Sequence, residues 1–255
     1  MRKYRFFIAV VALLLTLTSL RTYAKDNTYV VVVGLSEYKD PTMNLPYEYT
    51  VASAKEVAKF FHHSIACHPF MLVDKNATKD HIIRTLRSEF SKADEDDIVM
   101  FVFSGHGYQG GITTHDFNGT RDYAISYGEI QKIMRQSKAK RKIIIAEACY
   151  SGGFNNKGGN GKVERKGNNI QHTNNSQLEV MIYTSSRANE ISYVPGFLRY
   201  VLEGLAGAAD NNSDHKITSR ELFNYVNPRV INNTGNAQHP QMWGKFANDM
   251  VVGYY

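Results

Sequence analysis

Two short apolar runs limit what this chain can fold into more than anything else in it. Residues 97–103 read Asp-Ile-Val-Met-Phe-Val-Phe, and residues 142–148 read Lys-Ile-Ile-Ile-Ala-Glu-Ala. Near-continuous β-branched and aromatic runs of this length suit strands buried on both faces, as the central strands of a parallel sheet are. Each run stops at residues capable of chemistry: Ser104-Gly105-His106-Gly107 after the first, Cys149-Tyr150-Ser151-Gly152-Gly153 after the second. Open parallel sheets bind their ligands beyond the carboxyl ends of the strands. His106 and Cys149 are therefore the candidate reactive pair.

A thiolate attacks a carbonyl better than a thiol does, and a histidine titrating near neutrality can take the thiol proton. Gly105 and Gly107 let the backbone turn tightly beside the imidazole. The N–H groups of Gly107 and Cys149 are the candidate donors to a developing oxyanion.

The Ser104–Gly107 stretch and the Glu147-Ala148-Cys149-Tyr150-Ser151-Gly152-Gly153 stretch resemble the His and Cys motifs of the caspase/metacaspase superfamily, in particular its bacterial caspase-like peptidases. The 43 residues from His106 to Cys149 lie near the roughly 50 seen in caspases, and Glu-Ala-Cys is similar to their Gln-Ala-Cys. The resemblance runs from about Tyr29 to the C-terminus. It implies a caspase-like α/β/α sandwich with a mainly parallel central sheet, and a cysteine endopeptidase acting on peptide or protein substrates through a His106/Cys149 dyad. It also implies an S1 pocket. Glu147 occupies the position of the metacaspase acid that lines the pocket, Ser104 matches another pocket residue, and Ser53, in Ala52-Ser53-Ala54, stands where the family has a second aspartate. A carboxylate there selects Arg or Lys at P1. No arginine stands at the positions that would favour P1 Asp. The rival reading is a non-catalytic caspase-like scaffold that binds proteins.

Residues 1–24 read as a signal peptide: Arg2, Lys3 and Arg5 precede an apolar run from Phe6 to about Leu20, and Thr22-Tyr23-Ala24 offers small residues for cleavage. An uncleaved anchor is the alternative, but the run is short of the roughly 20 residues that span a bilayer. Residues 25–255 then form one peptidase domain, exported to the periplasm or outside, with no stable membrane association. The leader holds four basic residues and no acid, so the net charge falls from +6 to +2 on its removal. That leaves no electrostatic case for nucleic-acid binding. Of the two cysteines, Cys67 reads as a small buried hydrophobe; a Cys67–Cys149 bridge would silence the nucleophile.

The remaining patterns are more local. Thr28–Val33 reads as a first strand, and Val51, Ala54, Val57, Ala58 and Phe61 as one face of a helix. His62, His63, Cys67 and His68 are dense in metal-ligating types but lack a second ligand pair, so they read as a helix end leading into strand Pro69–Val73. Thr78 is the expected cap of a helix carrying Ile82, Ile83, Leu86 and Phe90. Residues 94–97 read as a solvated acidic turn, residues 108–127 as a polar loop walling the cleft, and Ser126 with Glu129 as a capping box. Lys138–Lys142 is a basic run at a helix end, with no partner assigned. Residues 152–177 read as a flexible Gly/Asn/Lys-rich loop, a candidate processing segment. Leu178–Thr184 is a further strand, followed by Ser185, Ser186 and Arg187 as cleft residues and a helix through Phe197, Val201 and Leu205.

Asp210, Asn212, Asp214 and Glu221 fall at positions one, three, five and twelve of an EF-hand-like loop, which makes calcium a possible cofactor, though none is required for the thiol chemistry. His215 stands where that loop needs glycine, and Thr218 with Glu221 also makes an ordinary capping box. Gln238-His239-Pro240-Gln241-Met242 resembles the family's closing motif before a last edge segment at Asp249–Gly253, with His239 read as structural.

Overall fold

The computed structural model describes residues 26–63, 66–108, 110–149, 171–172, 180–192, 196–244 and 246–255. The signal-peptide expectation lies outside the described residues, as does the 152–177 loop apart from Gln171–His172. Seven strands form the main sheet: β1 (Thr28–Gly34), β2 (Cys67–Val73), β3 (Ile98–Ser104), β7 (Arg141–Glu147), β8 (Gln171–His172), β9 (Val180–Thr184) and β11 (Gln241–Gly244), in spatial order β2-β1-β3-β7-β9-β11-β8. Strands β2, β1, β3, β7 and β9 are mutually parallel; β11 is antiparallel to β9, and β8 runs parallel to β11.

Burial on both faces explains the apolar runs. Val31 and Val33 enter one core and Val30 and Val32 the other. The first core is covered by α2 (Lys79–Phe90) and α3 (Tyr127–Gln136), which present Ile82, Leu86, Phe90, Ile130, Ile133 and Met134. The second is covered by α1 (Val51–His62), α4 (Phe197–Glu203) and α5 (Ser219–Asn233), which present Val57, Phe61, Leu198, Val201, Leu222 and Val226. The result is the expected α/β/α sandwich. Among the described residues, no helix is long and apolar enough to cross a membrane.

Several local expectations change. Residues 108–127 carry more order than a polar loop: β4 (Gly107–Tyr108), β5 (Gly111–Thr113) and β6 (Ala124–Ser126) make a small antiparallel sheet. Its cause is the opposed, fully buried pair Ile112 and Ile125. Thr78 sits at the N-cap of α2 without a side-chain capping bond; Asp116 Oδ1 takes the Lys79 N–H instead. Ser126 accepts the Glu129 N–H as expected. Asp97 does not belong to a solvated turn. It is buried and accepts the N–H groups of Asn27 and Asp94, tying the starts of β1 and β3. The basic run has partners: Lys140 pairs with Glu95, Arg141 with Asp26, and Lys142 is wholly buried, donating to the Ala139 carbonyl.

The last segment, β12 (Val251–Tyr254), leaves the main sheet and pairs with β10 (Lys216–Thr218). Residues Gln171 and His172 are strand rather than loop, paired with Trp243 and Gly244 on the far side of β11. Cys67 and Cys149 are both free. Cys67 lies level with Thr28 at the start of the sheet, whereas Cys149 follows the end of seven-residue β7. A strand of that length separates the two levels by about 20 Å, too far for a disulfide.

Candidate active site

Strand register puts the two motifs side by side. Ser104 pairs with Glu147 at the matched ends of β3 and β7, so His106 and Cys149 each lie two residues beyond. The chain crosses from β1 to β2 on one side, while β3 flanks β1 on the other. Open sheets bind ligands beyond the carboxyl ends of strands at such a switch point; His106 follows β3, which borders it, and Cys149 follows the next strand, β7. Gly107 allows the closest approach: a Cβ there would lie 2.2 Å from the Cys149 carbonyl oxygen and 3.1 Å from the Ala148 Cβ. The two proposed oxyanion donors, Gly107 and Cys149, are thus backbone neighbours.

The half-buried imidazole of His106 is oriented by the turn that follows β1. Its Nε2 lies 2.9 Å from the Met43 carbonyl oxygen. A carbonyl only accepts, so Nε2 carries the proton and Nδ1 holds the lone pair of the neutral ring. Burial lowers the His106 pKa, with the Met43 carbonyl acting in the opposite sense. The neutral, proton-accepting form therefore dominates at pH 7. Cys149 is a partly buried free thiol, and its neighbour Ala148 is held by serines: the Ala148 N–H donates to Ser185 Oγ (3.2 Å), and the Ser186 hydroxyl donates to the Ala148 carbonyl (3.3 Å).

Ser185 and Ser186 are fully buried, which corrects their reading as cleft-lining residues. They support the cysteine strand from behind. Gln238 Nε2 joins them by donating to the Ser185 carbonyl at 2.7 Å. Arg187 pairs with Glu190, whose carboxylate also takes the N–H and Nδ1 of His239. His239 is held by Glu190 and Asn236.

Of the S1 candidates, Ser104 and Glu147 come together, with the Ser104 hydroxyl donating to Glu147 Oε2 at 3.3 Å. Ser53 lies on α1 and bonds the Tyr49 carbonyl. Glu147 is only 2 % exposed; its Oε1 accepts the Leu198 N–H at the start of α4.

Desolvation raises the Glu147 pKa from 4.5 to about 7, against the opposing pull of the Leu198 N–H and Ser104. A carboxyl whose folded pKa is raised stabilises the fold fully below its unfolded value and loses that contribution as pH rises through the folded one. The window here is about pH 4.5 to 7, and the linked loss is about 3 kcal/mol. The thermal midpoint is expected to fall by several degrees from pH 5 to 7.5 beyond the wild-type background set by other groups, and Glu147→Gln to flatten that part of the slope. Identical pH profiles for the two proteins would overturn this.

The EF-hand-like loop is formed, with His215 at φ +62°, the left-handed conformation for which the motif uses glycine. Asp210 accepts the N–H groups of Asn212, Ser213 and His215 and the Tyr255 hydroxyl. Asn212 accepts from Asp214, Asp214 from Lys216, and Glu221 from Asn211 and Thr218. All four candidate calcium residues thus spend oxygens on the backbone. Among the described residues, no group of three or more His, Cys, Asp or Glu is gathered for a metal ion, and the 62–68 cluster forms none. The Thr218–Glu221 capping box is present in full.

Sequence reasoning missed the Met43 carbonyl, Tyr38 and Thr113, and the bond by which Gln238 of the closing motif supports Ser185. A backbone acceptor has no signature in side-chain types, and Thr113 lies in the stretch read as a polar loop.

The layered α/β architecture, with its two motifs at the carboxyl ends of parallel strands, defines a class of fold shared by many hydrolases. Within that class the chain belongs to the caspase-domain peptidase family, whose domain matches residues 27–251. The crystal structure of protein GSU0716 from Geobacter sulfurreducens is similar in fold, with a TM-score of 0.60 at 13 % identity over 88 % of this chain and 95 % of that one. No curated protein matches the chain.

Proposed function

We propose that this chain is an exported cysteine endopeptidase in which His106 and Cys149 form the catalytic dyad, with cleavage after Arg or Lys. The observation that carries the reading is the register of Ser104 with Glu147, from which both reactive residues follow at equal distance. His106 Nδ1 takes the Cys149 thiol proton, and the thiolate adds to the scissile carbonyl. The oxyanion accepts hydrogen bonds from the Gly107 and Cys149 N–H groups; His106 then protonates the leaving amine. Water, deprotonated by His106, hydrolyses the thioester and frees the thiol. No metal is needed for any of these steps.

The basic preference is proposed on Glu147, a buried carboxyl beside Ser104 at the carboxyl end of β7, two residues before Cys149. An incoming guanidinium or ammonium draws it toward the ionised form, so selectivity for Arg over a neutral P1 residue rises with pH through about 7. Calcium at the 210–221 loop is proposed only as an accessory to stability, and export rests on the leader in the sequence.

The test is hydrolysis of matched fluorogenic peptides carrying Arg, Lys, Asp or a neutral residue at P1, with and without calcium, using protein that begins at Lys25. Turnover after Arg and Lys, falling about tenfold or more relative to neutral P1 in Glu147→Gln, is the expected result. Turnover only after Asp would reject the specificity. No turnover with Cys149 reduced would favour the protein-binding scaffold.

A further inference from the structure

We propose that Tyr38 is a positioning residue for the reaction, its hydroxyl locking the backbone of His106 so that the imidazole faces Cys149. The proposal rests on the peptidase reading above. Tyr38 follows the end of β1, is 4 % exposed, and its ring lies 5.3 Å from the imidazole at a 44° tilt. The His106 N–H donates to its hydroxyl oxygen at 2.9 Å. Thr113 Oγ1 lies 3.3 Å from that oxygen and 3.0 Å from the His106 carbonyl oxygen.

The Thr113 hydroxyl donates to the Tyr38 oxygen or to the His106 carbonyl, and that carbonyl also accepts the Thr113 N–H at 3.1 Å. Tyr38 takes the N–H of the histidine and Thr113 takes its carbonyl, so the two residues together hold both backbone polar groups of His106. Tyr38 is itself anchored, since its N–H donates to Asn44 Oδ1 at 2.9 Å. The same turn presents the Met43 carbonyl to Nε2. One connection thus holds the histidine twice, its backbone through Tyr38 and its ring through Met43. Burial pushes the phenol pKa up to about 12, so the hydroxyl keeps its proton throughout the working range.

Tyr38→Phe retains the ring against the imidazole and removes only the hydroxyl, leaving the His106 N–H without an acceptor. The expected kcat falls about tenfold to a hundredfold, in line with an unsatisfied buried donor, while KM stays within about twofold. The readout that packing alone would not move is the pH profile of Cys149 alkylation by iodoacetamide, recorded in Cys67→Ser protein. The His106-dependent phase is expected to move to higher pH in Tyr38→Phe. Thr113→Val removes the hydroxyl that bonds Tyr38 and the His106 carbonyl and is expected to do likewise, which keeps the test decisive if Tyr38→Phe folds poorly. If the wild-type profile depends on His106 but neither variant moves it, the Tyr38 proposal is overturned and the peptidase reading stands. If the wild-type profile is unchanged by His106→Ala, the dyad itself fails, and the role of Tyr38 falls with it.

Discussion

Replacing Cys149 by alanine is expected to reduce peptide hydrolysis by at least about a thousandfold while leaving the fold intact. The size follows from chemistry: without sulfur no acyl-enzyme forms, and only binding and oxyanion stabilisation remain, as in other hydrolases stripped of their nucleophile. The intact fold follows from the thiol's surroundings. Cys149 is partly exposed and unbridged, and the strand tip is held by Ser185 and Ser186 through Ala148, not through the sulfur. The thermal midpoint should stay within a few degrees. Cys67→Ala is the matched control, because that thiol lies at the opposite end of the sheet, and its turnover should equal wild type. Retained hydrolysis in the Cys149 variant would refute the assignment; loss in both variants would point to a general effect of cysteine removal.

The second large effect is expected at Gly107. An added methyl would stand 2.2 Å from the Cys149 carbonyl oxygen, well inside contact distance, and the opposing atom belongs to backbone that cannot rotate away. The two tips must separate by roughly an ångström, a displacement that at a reacting centre costs about a hundredfold in rate. Overpacking itself costs about 1–3 kcal/mol of stability. Gly107→Ala should therefore lose rate far more than stability, with kcat, the alkylation rate of Cys149 and the thermal midpoint measured together. A variant that unfolds before it loses activity would show that Gly107 serves packing rather than the reacting geometry.

The central strands were readable because burial on both faces forces unbroken apolar runs, as in Ile143, Ile144 and Ile145. The helices were readable from a single buried stripe, as in Ile82, Leu86 and Phe90. Patterning failed where polar groups are buried. Asp97 and Ser185 have the composition of a surface turn, yet both are satisfied by backbone groups distant in sequence. It failed again at β4–β6, whose strands of two or three residues are too short to show a period. At the site, His106, Cys149, Ser104 and Glu147 stood out by type, and Ser104 and Glu147 proved to be partners. The supports of His106 did not, because Met43 acts through an atom that every residue has, and Tyr38 lies 68 residues away.

Alignment of His106 by a main-chain oxygen changes how the site would fare under random mutation. The side chain at position 43 matters for its packing against the core and not for that bond, and an alanine scan of the turn would leave the hydrogen bond itself in place. Constraint falls instead on whatever shapes the bend: Pro41 at the first helical position, Asp40 capping it, and Asn44 gripping Tyr38. Under the proposed dyad, drift in the curvature of one short turn is expected to abolish activity with His106 and Cys149 still in place.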